Sequence, residues 1–142
     1  MAQKVIRTAL FAALGLAAAV LSAGPQLSAQ DKDKVPDIKT IMSEGHKGTD
    51  SFLVQIGKEA KAGKWEDAVM HAKALTVFGE ALGKNKPPRG DEKSWEKLAK
   101  KYNENTKAVL TAAEKKDAET TTKSLKAIQG SCTECHKAHK GK

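Results

Sequence analysis

The sequence predicts an all-α fold, an up-down-up-down bundle of four helices, and three observations carry that prediction. The 142-residue chain is rich in Ala, Lys, Leu and Glu and only 4% aromatic, a composition that favours helix over strand. Its apolar residues recur at spacings of three and four, the period of one helix face. Three of the four expected helix starts carry an Asp at or beside the cap, and every connection but one is short, which makes neighbouring helices antiparallel. The length suits one domain. With 11 glycines, 4 prolines and 39% hydrophobic residues, the composition excludes collagen, low-complexity disorder and a polytopic membrane protein.

An export signal precedes the bundle. Lys4 and Arg7 form a short positive region, and the uncharged, Ala- and Leu-rich stretch Ala9 to Ala23 follows. Its 15 residues fall short of the roughly 20 that a membrane span needs. Leu27-Ser28-Ala29 reads as a cleavage tripeptide with Gln30 as the new N-terminus; cleavage after Ala23 and an uncleaved anchor are the alternatives. Residues 1–29 are thus a signal peptide, 30–36 a flexible leader ending at Pro36, and 37–142 the helical domain. The 113 residues after position 29 hold 23 cations and 17 anions, a net charge of +6. The mature protein is expected to be periplasmic or otherwise extracytoplasmic, without stable membrane insertion.

The first helix is expected from Asp37 to about Ala62, with Gly63 as its stop. Ile38, Ile41, Met42, Gly45, Thr49, Phe52, Leu53 and Ile56 form its apolar stripe. Gly45 lies on that stripe, where the missing side chain lets something bulky approach. The second helix runs from Trp65 to Leu82 and buries Trp65, Ala68, Val69, Ala72, Leu75, Thr76 and Leu82, leaving Met70 and His71 exposed. The loop around Pro87-Pro88 ends it. The third starts after Asp91, with the stripe Trp95, Leu98, Tyr102, Thr106, Val109 and Ala113. The fourth starts after Asp117, and Leu125, Ile128, Cys132, Cys135, His136 and His139 share one side. Beyond the signal the aromatics are Phe52, Trp65, Phe78, Trp95 and Tyr102, so a large apolar cofactor would help to fill the core.

One pentapeptide carries the chemistry. Cys132-Thr133-Glu134-Cys135-His136 is the c-type haem attachment pattern. Two thiols three residues apart can bond to the two vinyl groups on one porphyrin edge, and the adjacent imidazole can bind iron. One pentapeptide implies one covalent haem c. A thioredoxin-type pair expects a βαβ setting, which is not visible. Zinc on Cys132, Cys135, His136 and His139 would need a tetrahedron from two turns of one helix. A Cys132–Cys135 disulfide would close too small a loop to stabilise much.

With these residues the chain resembles the class II c-type cytochromes, the group of cytochrome c′ and its low-spin relatives. These are exported four-helix bundles with haem attached near the C-terminus of the last helix, whereas class I cytochromes attach it near the N-terminus. The resemblance covers roughly residues 37–140. Trp95 after a proline-containing loop resembles a Trp at the start of the family's third helix, and Gly63 followed by Trp65-Glu66-Asp67 resembles its turn from first to second helix. The family places an aromatic three residues after the haem histidine and an Arg next; here His139 and Lys140 stand there. Lys140 keeps the charge but not the bidentate geometry of Arg.

The resemblance implies a mono-haem electron carrier, with an NO- or CO-binding protein with an open iron face as the alternative, and a homodimer, since family members often dimerise. Cys132 and Cys135 would hold the haem and His136 the iron. For the sixth ligand the residues leave a choice. His136 is 19 residues into the fourth helix from Asp117, and the facing level on an antiparallel first helix lies near position 43, between Met42 and His46. Both can ligate haem iron. In the family the corresponding position precedes the turn motif at a set spacing, and counting 20 back from Glu66 reaches His46. His46 is therefore favoured, then Met42, then an open site. The positive charge suits either solubility or an acidic redox partner. Export and the lack of clustered arginine argue against nucleic acid, and no paired carboxylates, Ser-His-Asp set or phosphate loop suggests an enzyme.

Overall fold

Helix formation begins at Asp37 in the structure, a computed structural model that describes residues 34–141. The expected signal peptide and the first part of the leader lie outside the described residues. Five helices follow: α1 (Ile38–His46), α2 (Phe52–Lys61), α3 (Trp65–Leu82), α4 (Glu92–Glu114) and α5 (Ala118–His139), with no strand among the described residues. None of them is long and apolar enough to cross a membrane.

The three predicted Asp caps all form. A carboxylate oxygen accepts from the backbone N–H three residues on, at 2.7 Å for Asp37 to Thr40, 2.7 Å for Asp91 to Ser94 and 2.9 Å for Asp117 to Thr120. These are donors that the first turn of a helix otherwise leaves unpaired. The bond from the Thr40 N–H foremost holds the Asp37 carboxyl below its usual range, and the Thr120 hydroxyl, followed by its N–H, does so for Asp117. After α2, Gly63 takes φ +71° and the N–H of Lys64 returns to the Glu59 carbonyl at 2.9 Å. After α4 the same turn forms with Lys116 at φ 55° and Asp117 N–H on the Ala112 carbonyl.

The first expected helix is two. Lys47 leaves helical geometry at ψ 127°, Gly48 takes φ +84°, and α2 restarts after Ser51. The cause is local: Gly48, Thr49, Asp50 and Ser51 are weak helix formers, and Ser and Asp side chains compete for backbone groups. Ser51 is buried and its hydroxyl donates to the Gly48 carbonyl at 3.0 Å; Gln55 and Lys58 both reach back to the Thr49 carbonyl. The apolar stripe survives the break. Ile41 and Gly45 are buried before it, Leu53 and Ile56 after it, while Thr49 is exposed.

Packing is helical throughout: α3 lies on α2 and α4, α5 on α4 and α2, and α1 on α2 and α3. Ile41, Ile56, Leu75, Val109 and Ile128, one from each helix, are fully enclosed in one core. The expected stripe of α4 is buried at all six positions. On α3 the expected Ala68, Ala72, Leu75 and Leu82 are buried, Trp65, Val69 and Thr76 only partly, and Phe78, Gly79 and Ala81 join the buried set. The Phe78 ring fills the space beside Gly45, where an added Cβ would meet it at 3.2 Å, and stacks tilted on Phe52 at 5.4 Å. The bulky neighbour that Gly45 admits is therefore a side chain of the core.

At Gly79 α3 and α4 approach closely. A Cβ there would collide with the Thr106 hydroxyl and come within 3.2 Å of the Asn103 Cα, which is backbone and cannot swing aside. Gly79→Ala is expected to destabilise by about 1–3 kcal/mol through overpacking. Gly130→Ala, on an exposed face of α5 with nothing within 4 Å, is expected to stabilise by up to about 1 kcal/mol through helix propensity. Urea midpoints of the two variants measure both signs.

Candidate functional site

The last two turns of α5 put their chemistry on one side because residues three and four apart share a helix face. Cys132, Cys135 and His136 therefore line a single wall of a cleft, with Ser131 beside them. Met42 and His46 from α1 stand on another side, and Leu82, Leu98 and the Tyr102 ring complete the lining. The cleft holds about 30 Å³, room for one or two water molecules, so a larger group enters only if its walls part.

Both cysteines are free and half-buried. Burial pushes the Cys132 thiol up, and it donates to the Ile128 carbonyl at 3.4 Å. Burial also raises Cys135, and its neighbours Cys132 and Glu134 add to that. Both are thus protonated thiols at neutral pH. His136 is exposed at the rim. Two protonated thiols and an imidazole on one face, across from apolar side chains and a second imidazole, are side chains that could hold a cofactor covalently and ligate a metal.

His46 is the polar centre of the facing side. Its Nε2 lies 2.8 Å from the Tyr102 hydroxyl, and the two rings are tilted at 5.5 Å. Burial pulls its pKa down to about 4, with a smaller contribution from nearby His136, so the ring is neutral at pH 7. Burial likewise pushes the Tyr102 hydroxyl far above its ordinary value. Tyr102 was legible as a core residue of α4, but its role as partner of His46 was not, because 56 residues separate them. His46 meets this cleft despite the failure of the uninterrupted count along the first helix; the chain breaks just after His46, at Lys47.

The remaining histidines are engaged elsewhere. His139 is buried; its Nδ1 donates to the Arg89 carbonyl at 2.9 Å and its Nε2 lies 3.1 Å from the Ser94 hydroxyl, edge-on to Trp95 at 5.4 Å. With both nitrogens used, it cannot join Cys132, Cys135 and His136 as a fourth ligand. No group of three or more His, Cys, Asp or Glu side chains converges as a metal site among the described residues. His71, expected to be exposed, is half-buried and pairs with Glu59 at 2.9 Å, whereas Met70 is exposed as expected.

Comparison with protein-family models, with curated proteins and with solved structures finds no match to this chain.

The buried His46 makes the cofactor-free chain acid-sensitive. Folded, His46 stays neutral down to about pH 4, whereas unfolded it protonates near the ordinary histidine value of 6.5. Between those values the unfolded chain binds the extra proton, so stability falls as pH drops through that window, by up to about 3 kcal/mol. Urea unfolding of chain made without haem attachment, at steps from pH 7 to pH 4, is expected to show this loss. His46→Leu is expected to flatten it.

Proposed function

We propose that this chain is an exported mono-haem c-type cytochrome of the class II type that carries electrons. The observation that carries the reading is Cys132, Cys135 and His136 on one wall of an apolar cleft that His46 and Met42 also line. The packing of α2 on α3, α3 on α4, and α5 on both α4 and α2, with short turns at Gly63 and Lys116, supports an up-down-up-down order. In that reading Cys132 and Cys135 would hold haem through thioether bonds and His136 would bind its iron. Haem would supply a one-electron centre, and the chain's part would be to enclose it, exclude water with Leu82 and Leu98, and present His46.

His46 is the proposed distal ligand and Met42 its alternative. Bis-histidine iron has a lower reduction potential than a His/Met site, because Met ligation raises it. The alternative function, NO or CO binding at an open iron face, is favoured by one observation, the engagement of His46 by Tyr102. The exposed Arg89, Lys137 and Lys140 near the pentapeptide suit docking to an acidic redox partner.

Mass spectrometry of protein exported together with haem-attachment machinery is expected to show one covalent haem on the chain lacking residues 1–29. An unmodified mass overturns the reading. For the ligand, His46→Ala is expected to turn low-spin ferric iron high-spin in absorption and electron paramagnetic resonance, and Met42→Ala to leave it low-spin. The reverse pattern transfers the ligand to Met42. High-spin iron in the unsubstituted protein favours the gas-binding reading.

A further inference from the structure

We propose that the Tyr102 hydroxyl competes with haem iron for the Nε2 lone pair of His46, so that His46 is a displaceable distal ligand and Tyr102 sets how readily a small diatomic molecule such as CO enters. The proposal rests on the cytochrome reading above.

The direction of the hydrogen bond follows from burial. Tyr102 is 7% exposed, and His46 Nε2, 2.8 Å away, is the one hydrogen-bond partner of its hydroxyl among the described residues. A buried hydroxyl with one partner spends its hydrogen there, because a stranded donor is costlier than an unused lone pair. Tyr102 therefore donates and Nε2 accepts. With Nε2 accepting, the hydrogen of the imidazole lies on Nδ1.

A neutral imidazole has one in-plane lone pair, which serves a hydroxyl or a metal but not both. Ligation through Nε2 takes away the acceptor of the Tyr102 hydrogen. Ligation through Nδ1 moves the ring hydrogen to Nε2, where it faces the Tyr102 oxygen and again leaves the hydroxyl hydrogen unspent. Either route strands a buried donor, and replacing His46 at iron by a small molecule restores the O–H···N bond. The backbone permits the exchange: His46 is the last residue of α1, and the chain leaves helical geometry at Lys47, so its movement disrupts no interior turn.

The test uses the haem-loaded ferrous protein titrated with CO, in four forms: unsubstituted, Tyr102→Phe, His46→Ala and the double variant, each carrying one haem by mass. Tyr102→Phe is expected to bind CO about tenfold more weakly than the unsubstituted protein, because nothing then rewards release of His46. In the His46→Ala background the same change is expected to alter CO affinity by no more than about twofold. Equal or tighter CO binding by Tyr102→Phe overturns the proposal, as does a tenfold effect that persists without His46. Tyr102 is the single tyrosine of the chain, so growth on 3-fluorotyrosine alters this hydroxyl alone. The more acidic phenol donates more strongly and is expected to tighten CO binding; weaker binding overturns the proposal even if Tyr102→Phe fails to fold. A chain without covalent haem overturns the cytochrome reading, and the proposal with it, before any CO is added.

Discussion

The last turn of a terminal helix frays unless something ties it down, and in this chain that turn adjoins the chemistry. The tie is the proline loop. Arg89 Nη2 donates to the Lys137 carbonyl at 2.8 Å, while the Arg89 carbonyl accepts from His139. His139 lies enclosed against Trp95, and Trp95 Nε1 donates to the Asn85 carbonyl at 2.8 Å. Gly90 lets this happen: a Cβ there would stand 2.7 Å from the Ala138 carbonyl oxygen. Asn85 extends the tie to the start of the fold by donating to the Pro36 carbonyl. The helix end after Cys132, Cys135 and His136 is thus held by contacts across the loop, which add to the partial burial of the two cysteines.

The break between α1 and α2 is the second determinant of the site. A helix continuous from Asp37 to Ala62 would carry His46 along the axis of α2. The extended backbone at Lys47 and the positive φ of Gly48 uncouple the two directions, so α1 packs independently on α3. That packing seats Gly45 against Phe78 and brings Met42 and His46 to the cleft. A stretch of poor helix formers, a local weakness by propensity, is in this way a means of aiming side chains.

The cleft gathers several costly groups in one place. A histidine kept neutral by burial, a tyrosine hydroxyl with one partner and two half-buried thiols share an apolar lining. Elsewhere buried hydroxyls bond nearby backbone, as Thr106 does with the Asn103 carbonyl and Thr121 with Asp117. Native structures tolerate such local conflict where side chains serve something beyond folding.

Helix identity, caps and most core positions were legible in the sequence, because each depends on neighbours within one or two turns. Asp37, Asp91 and Asp117 cap as read, α3 has the bounds expected, and the α4 stripe is buried at every named position. That Cys132, Cys135 and His136 share one face of one helix was legible for the same reason. What required the tertiary structure was every relation across helices. His46 with Tyr102, Phe78 with Gly45, and His139 with Arg89 and Ser94 are each separated by more than thirty residues. The break after His46 lay between these scales. Its weak helix formers were visible, but whether a stripe continuing at helical spacing would override them depended on what packed against either half. Local pattern sets which face of a helix is apolar; the depth, direction and partner of each side chain are set by the other helices that close over it.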